Sequence, residues 1–350
     1  MNILILGNLG YIGPVLITHL RKSWPEAYLV GYDNAYFASC LLMDEVLPEV
    51  KLDKQYYGDV RDITTVVFEK EKFDVVIQLA AISNDPMGKT FEAPTFEINT
   101  SATEAIAVMA KNHGVRSFVF ASSCSVYGMD GKKIKNESSE LAPQTAYAKS
   151  KIDSEIKLNA IADDTFTVTC LRFATACGIS PRIRLDLVLN DFVASALVNK
   201  RIDILSDGTP WRPLIDVKDM SRAIEWASNR EAKNGGSFLA INAGADESNI
   251  QVRDLAYKVS EELGGIDVSV NSDASPDTRS YKVDFSLFKE LASDYQPLMS
   301  LSDSINEVGE RLMKIDLDKD FRKSSWMRLV YLNNLVNNSL IDSHLRWIVY

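Results

Sequence analysis

The first thirteen residues, Met-Asn-Ile-Leu-Ile-Leu-Gly-Asn-Leu-Gly-Tyr-Ile-Gly, leave the chain few ways to begin folding. Asn2 to Leu6 is a short, almost unbroken apolar run, the pattern of a parallel strand buried on both faces. Glycines follow at positions 7, 10 and 13, and Pro14 to Leu20 reads as a helix with its apolar side inward. A strand, a glycine turn and a helix N-terminus meeting in this way form an anion site, because free backbone N–H groups and the helix dipole face one point. Each glycine lets backbone come close, either to a pyrophosphate or to the neighbouring strand. Taken alone, the triplet is equally compatible with a plain tight turn.

The next segment favours the first reading. Ala27 to Tyr32 is a second apolar strand, and it ends on Asp33, twenty residues after Gly13. A carboxylate there accepts hydrogen bonds from both ribose hydroxyls of an adenosine, although an ordinary loop carboxylate could occupy the same place. It would repel a 2′-phosphate, and no Arg or Lys lies between Tyr28 and Leu47 to attract one. The expected cofactor is therefore NAD, not NADP.

Strand and helix patterns then alternate. Gln55 to Gly58 reads as a third strand, leading to Asp59-Val60-Arg61-Asp62, where Asp62 is placed to cap a helix from Ile63 to Lys70. Phe73 to Leu79 is a fourth strand, closed by the small residues Ala80 and Ala81. A long helix is expected from Thr95 to Asn112, a fifth strand from Arg116 to Ala121, a helix reaching about Asn159, and a sixth strand from Phe166 to Arg172. Such alternation implies right-handed crossovers and a parallel sheet with a ligand crevice at the carboxyl ends of its strands. The expected class is α/β, a Rossmann-type doubly wound parallel sheet. Residues 1–175 would form it, 176–320 a smaller interleaved C-terminal substrate lobe, and 321–350 a helical tail; a strand near 238–242 would rejoin the sheet.

Composition narrows the function. A net charge of −10 provides no basic surplus for a nucleic-acid partner. Cys40, Cys124, Cys170 and Cys177 have neither metal nor Cys-x-x-Cys spacing, so no metal is expected and a reducing compartment fits best. The apolar N-terminus lacks a basic n-region and is explained as a first strand, and no apolar run is long enough to span a bilayer. A soluble, cytoplasmic protein with no membrane partner is expected.

Tyr147 and Lys151 are four apart on an expected helix and share one face. An ammonium near a phenol favours the phenolate, so such a tyrosine can move a proton near neutral pH. Ser123, at the end of the fifth strand, could hydrogen-bond the same substrate oxygen, and a nicotinamide would exchange the hydride. A Tyr-x-x-x-Lys pair in isolation would more often be a solvated surface pair.

Taken together, these residues carry a resemblance. Gly7-x-x-Gly10-x-x-Gly13, Asp33-Asn34, Gly58-Asp59-Val60, Leu79-Ala80-Ala81 and Asn99 match in order and spacing, followed by Ser122 to Gly128, Tyr147 to Lys151, Leu171-Arg172-Phe173 and Asp207 to Arg212. The sequence resembles the extended short-chain dehydrogenase/reductases, the NAD-dependent nucleotide-sugar epimerase/dehydratase family. That resemblance implies Tyr147 as acid/base, Lys151 as holder of the nicotinamide ribose, and Ser123 as orienter of the substrate oxygen. Cofactor contacts would come from Gly7, Gly10, Tyr11, Ile12, Gly13, Asp33, Asn34, Asp59, Val60, Leu79, Ala80, Ala81, Asn99 and Ser122, together with Tyr147 and Lys151. Substrate contacts would come from Ser123, Cys124, Thr175, Arg212 and Arg279, Arg212 binding the diphosphate of a nucleotide-diphosphate sugar. Family relatives also imply a homodimer.

The reaction turns on the residues just after Ser123. The family's 4,6-dehydratases place carboxylates there, whereas this chain has Cys124 and Ser125. Its 3,5-epimerase/reductases place a catalytic Cys two residues before the Tyr of the Val-Tyr-Gly segment, where Ser125 stands; Cys124 is one position early and reads better as a small packed thiol. What remains is hydride chemistry at one carbon: a C4-type epimerase that keeps its NAD, or a ketoreductase or dehydrogenase that exchanges it. A catalytically silent NAD-binding sensor is the less favoured reading, since relatives of that kind lose the Tyr or Lys and here Ser123, Tyr147 and Lys151 are all present. The Asn usual after Leu-Arg-Phe is replaced by Ala174-Thr175, so the pocket differs on that side. For the segment from Ser324 to Tyr350, packing on the body or across a dimer is expected.

Overall fold

The computed structural model describes residues 1–42, 46–128, 133–271, 273–274 and 280–348. Seven parallel strands form the main sheet: β1 Asn2–Leu6, β2 Tyr28–Asp33, β3 Lys54–Tyr57, β4 Val75–Gln78, β5 Ser117–Ser123, β6 Thr167–Phe173 and β7 Phe238–Ala243. Their order across the sheet is β7-β6-β5-β4-β1-β2-β3. β1 pairs with both β2 and β4. The winding reverses there, which opens a crevice at the strands' carboxyl ends.

The alternation of side chains along β1 decides the layers. Ile3 and Ile5 pack on one face with Leu16, Ile17 and Leu20 of helix α1 (Gly13–Ser23). Leu4 and Leu6 pack on the other with Phe68, Ile106 and Leu158. A third apolar cluster, including Phe192, Leu214, Leu255 and Ile305, gathers residues chiefly from the second half of the chain. β7 joins the sheet edge, pairing in parallel with β6. No helix among the described residues is long and apolar enough to cross a membrane.

Two local expectations are corrected. The helix assigned to Thr95–Asn112 is interrupted by a π-helical segment, Glu97–Ala102, whose wider turn carries Asn99. Asp62 does not cap the following helix, which starts at Thr65 with Thr64 in the N-cap position; Asp62 pairs instead with Arg346 of the C-terminal tail. That tail packs on the body: Leu332 and Leu335 of helix α3 (Arg328–Asn337), with Ile341 and Leu345, join the second apolar layer.

Candidate active site

A crevice of about 960 Å³ runs across the carboxyl ends of the strands and under the smaller lobe. This lies at the upper end of the size of ligand pockets, about 300–1,000 Å³. Gly7, Gly10, Tyr11 and Ile12 line it at the start of α1. Gly7 holds a left-handed φ of +79°, and a Cβ there would stand 2.5 Å from the Ala80 nitrogen. A Cβ on Gly13 would stand 2.0 Å from the Asn8 carbonyl oxygen. Gly13 therefore lets the helix pack against the turn and does not line the crevice. No side chain caps the first turn of α1, and Ile12, at its N-cap, lines the crevice.

Asp33 ends β2 in the crevice wall. Its carboxylate accepts from the backbone N–H groups of Leu9 (2.9 Å) and Ala35 (2.7 Å), with acceptor capacity left on both oxygens. Burial pushes its pKa up. Arg182, remote in sequence, lies near enough to act on Asp33, but its guanidinium is taken by Glu49 at 2.5 Å. The nearby positive charge that could receive a 2′-phosphate is thus neutralised. Asn34, Asp59, Val60, Leu79, Ala80 and Ala81 also line this half. Asp59 holds Arg61 through both carboxylate oxygens, at 2.9 and 2.6 Å.

Asn99 is placed differently from the expectation. It is fully buried; its side chain accepts from the Ile82 N–H at 2.8 Å and donates to the Ile82 carbonyl at 3.0 Å. It shapes the strand end at Ala81–Ile82 from behind and does not line the crevice. Ser122 also turns away, its hydroxyl donating to Glu155 at 2.5 Å, leaving its backbone to the crevice.

At the other half, helix α2 (Ala146–Ile161) presents Tyr147 and Lys151 to the crevice, beside Ser123 at the end of β5. The α2 N-cap, Thr145, accepts from the Ala148 N–H and donates to Asp85 at 2.6 Å. Tyr147 and Ser123 both line the crevice, and Ser123 acts on the Tyr147 phenol to oppose the rise in its pKa. Lys151 donates to the Ala121 carbonyl at 2.6 Å, and its nitrogen lies 4.6 Å from the centre of the Phe120 ring and 5.7 Å from that of Tyr147. Burial dominates both titrations, pushing the Tyr147 phenol up to about 12 and the Lys151 amine down to about 7. The expected lowering of the phenol by Lys151 is thus overturned in the protein alone. The cation that opposes the rise is Arg184, while Asp85 adds to it.

Cys124, expected at the substrate, is fully buried with its thiol donating to the Arg172 carbonyl at 3.1 Å. It does not line the crevice, because the turn at Cys124–Tyr127 points it into the core. Thr175 and Arg212 do line it, Arg212 lying 5.8 Å from the centre of the Tyr281 ring. Arg279 falls outside the described residues. Sequence reading missed Arg184, which enters the crevice with a bidentate partner in Asp186 and donates to Ser83 at 3.1 Å. Arg184 has no local signal, since it sits in the irregular segment before Val188. Tyr11, expected at the cofactor, lines the crevice, and its hydroxyl donates to the Gly178 carbonyl at 2.6 Å, tying residue 178 to the glycine turn.

With the crevice defined, comparison with known proteins becomes decisive. Residues 3–244 match the model of the NAD dependent epimerase/dehydratase family. The chain belongs to that family.

An uncharacterized UDP-glucose epimerase of Bacillus subtilis is 27% identical over 322 residues, spanning 88% of this chain and 97% of its own. A human dTDP-D-glucose 4,6-dehydratase is 24% identical, over 63% of each chain. The crystal structure of a Bacillus cereus UDP-glucuronic acid 4-epimerase, in complex with UDP-glucuronic acid and NAD, superposes with a TM-score of 0.76 at 22% identity, covering 90% of this chain and 99% of that one. This last likeness establishes the shared fold. As a member of the NAD-dependent family the chain is an NAD enzyme, and its crevice fits that cofactor: an uncapped helix N-terminus stands opposite a carboxylate that repels a 2′-phosphate.

Proposed function

We propose that the protein is a nucleotide-sugar epimerase of the C4 type, which retains its NAD and acts through a keto sugar. The observation that carries this reading is the convergence of Ser123, Tyr147 and Lys151 in one crevice, with a buried thiol instead of a carboxylate directly after Ser123. The glycine turn and the first turn of α1 would hold the pyrophosphate, and Asp33 the adenosine ribose. Bound NAD would supply the acceptor and later the donor of a hydride.

The protein's own residues handle the proton and the orientation. Tyr147 Oη takes the proton from the sugar hydroxyl and returns it after the sugar has presented its other face. Ser123, beside Tyr147 in the crevice, hydrogen-bonds the same oxygen. Lys151, close to neutral balance at about 7, holds the nicotinamide ribose and, when charged, favours the phenolate. Arg212 supplies charge for the substrate's diphosphate. A 4,6-dehydratase would need a carboxylate beside Ser123 to remove a second proton, and Cys124 and Ser125 cannot serve.

The free, buried cysteines support a reducing, cytoplasmic setting. Exposed Val108 and Ile156, on the two helices through which family members pair, support a homodimer. The test is to denature the purified protein, quantify released NAD, and offer the intact protein a panel of nucleotide-diphosphate sugars. Stoichiometric NAD with isomerisation and no net NADH is expected. Stoichiometric NADH formation would make the protein a dehydrogenase instead, and stoichiometric NADH consumption a ketoreductase.

A further inference from the structure

The adenosine half of the crevice is bordered by residues from the far end of the chain. We propose that the C-terminal turn, residues 339–348, is a strap that ties together the loops after β2 and β3 and thereby slows release of NAD. This inference deepens the retained-cofactor reading and rests on it.

The turn has its own framework. Ile341 and Trp347 form an antiparallel bridge, the Ile348 N–H donates to the Leu340 carbonyl at 2.9 Å, and the Asp342 carboxylate accepts from the N–H groups of His344 and Arg346, both at 2.8 Å. Leu345 holds a φ of +56°, a conformation that a branched side chain adopts only when the surroundings enforce it. Its side chain is fully buried in the apolar layer that also holds Ile341. The strap is therefore anchored in the core, and its backbone is presented outward in a fixed geometry.

That backbone meets both adenosine loops. On the β3 side, the Arg61 guanidinium donates to the carbonyls of His344 (2.8 Å) and Leu345 (3.0 Å) while it grips the Asp59 carboxylate. The Arg61 side chain is only 5% exposed, so these charge-assisted bonds are shielded from water. On the β2 side, the Trp347 indole N–H donates to the Asn34 carbonyl at 2.8 Å. The Trp347 ring lies 5.5 Å from that of Tyr36, whose hydroxyl in turn donates to the Leu345 carbonyl. Asn34, Tyr36 and Asp59 all line the crevice.

One carbonyl, that of Leu345, thus receives donors from both loops. Moving either loop outward to free an adenosine would strand buried donors or break the strap's bonds. An open, solvated crevice edge would impose no such cost. The strap residues act through the loops and are positioning residues, not catalytic ones.

The test compares NAD release from the full-length protein and two variants, Trp347→Ala and Tyr36→Phe, by chasing bound NAD with excess fluorescent etheno-NAD. Each removes a hydrogen bond between the strap and the β2 loop. Trp347 is 43% exposed, so its loss leaves the core intact. Trp347→Ala is expected to release NAD about tenfold faster, and Tyr36→Phe severalfold faster, with Trp347→Phe regaining part of the loss through its ring. Thermal stability measured without cofactor should change little in Trp347→Ala, which separates strap action from general loosening. Equal release rates in wild type and both variants would overturn the strap while leaving NAD binding in place. A wild-type protein that binds no NAD would overturn the cofactor reading and the strap together.

Discussion

At the catalytic end of the crevice, Tyr147, Lys151 and Glu155 come from successive turns of α2, and Ser122 and Ser123 from the end of β5. At the adenosine end, the wall draws on residues from Asn34 to Trp347, joined mainly by Arg61. The first end is backed by a buried ionic network. Glu155 accepts from Ser122 and from Arg172, at 2.7 Å, and Arg172 reaches the Tyr127 hydroxyl at 3.1 Å. The second depends on loops whose residues are buried to partly exposed, joined to the C-terminal turn. Under the proposed function, a rigid element would hold the groups that move a proton, where small displacements cost rate, and loops the group that needs only to be retained.

Substitutions at the two ends probe this contrast. The largest effect is expected from Tyr147→Phe. It should lower turnover by about 10²–10⁴-fold, the usual contribution of a general acid–base group, while the NAD recovered on denaturation stays unchanged. Parallel loss of NAD would mean that the two ends are not separable. Next comes Glu155→Ala, which leaves the Arg172 guanidinium buried without its carboxylate. Breaking such a pair costs about 3–5 kcal/mol, measurable by denaturant unfolding. Glu97→Ala removes the half-exposed partner of Arg61 at the adenosine end and should cost about 1 kcal/mol or less. Similar losses in the two variants would contradict the difference drawn between the ends.

A further probe uses pH. Burial holds Lys151 down to about 7 in the folded chain, whereas an unfolded lysine titrates near 10.4 (about the model-peptide value). Between those values the unfolded chain binds a proton that the folded chain has lost, so stability rises with pH across that window. Lys151→Met removes this dependence. The stability of wild type relative to Lys151→Met should therefore increase from pH 7 towards pH 10 in cofactor-free thermal melts; a flat difference would place the amine in a solvated environment. The smallest effect belongs to Cys124→Ser, which keeps a donor for the Arg172 carbonyl and should leave turnover with a nucleotide sugar unchanged. A large loss would return Cys124 to the substrate.

The contrast also separates what could be read from the chain before folding. Tyr147 and Lys151 were legible because helical spacing places residues four apart on one face, and the glycine turn because its strand and helix are adjacent. Even there, the electrostatics were not legible. Spacing says nothing of burial, and burial raises Tyr147 and lowers Lys151. Asn99 kept its position in the motif, but the π-helical turn aims it at Ile82. Cys124 lies beside a crevice residue in sequence and behind it in space, since successive residues in a turn face different ways. The strap was out of reach: its partners, Asn34, Tyr36 and Arg61, lie some three hundred positions away, and no local pattern joins them.

The central claim is that one carbon of a nucleotide-bound sugar gives up a hydride and takes the same hydride back. Incubating the purified protein with a nucleotide-diphosphate sugar deuterated at C4, and following the product by NMR, tests it directly. The account predicts an epimerised product that keeps its deuterium at C4. Epimerised product with hydrogen from solvent at that carbon would contradict it.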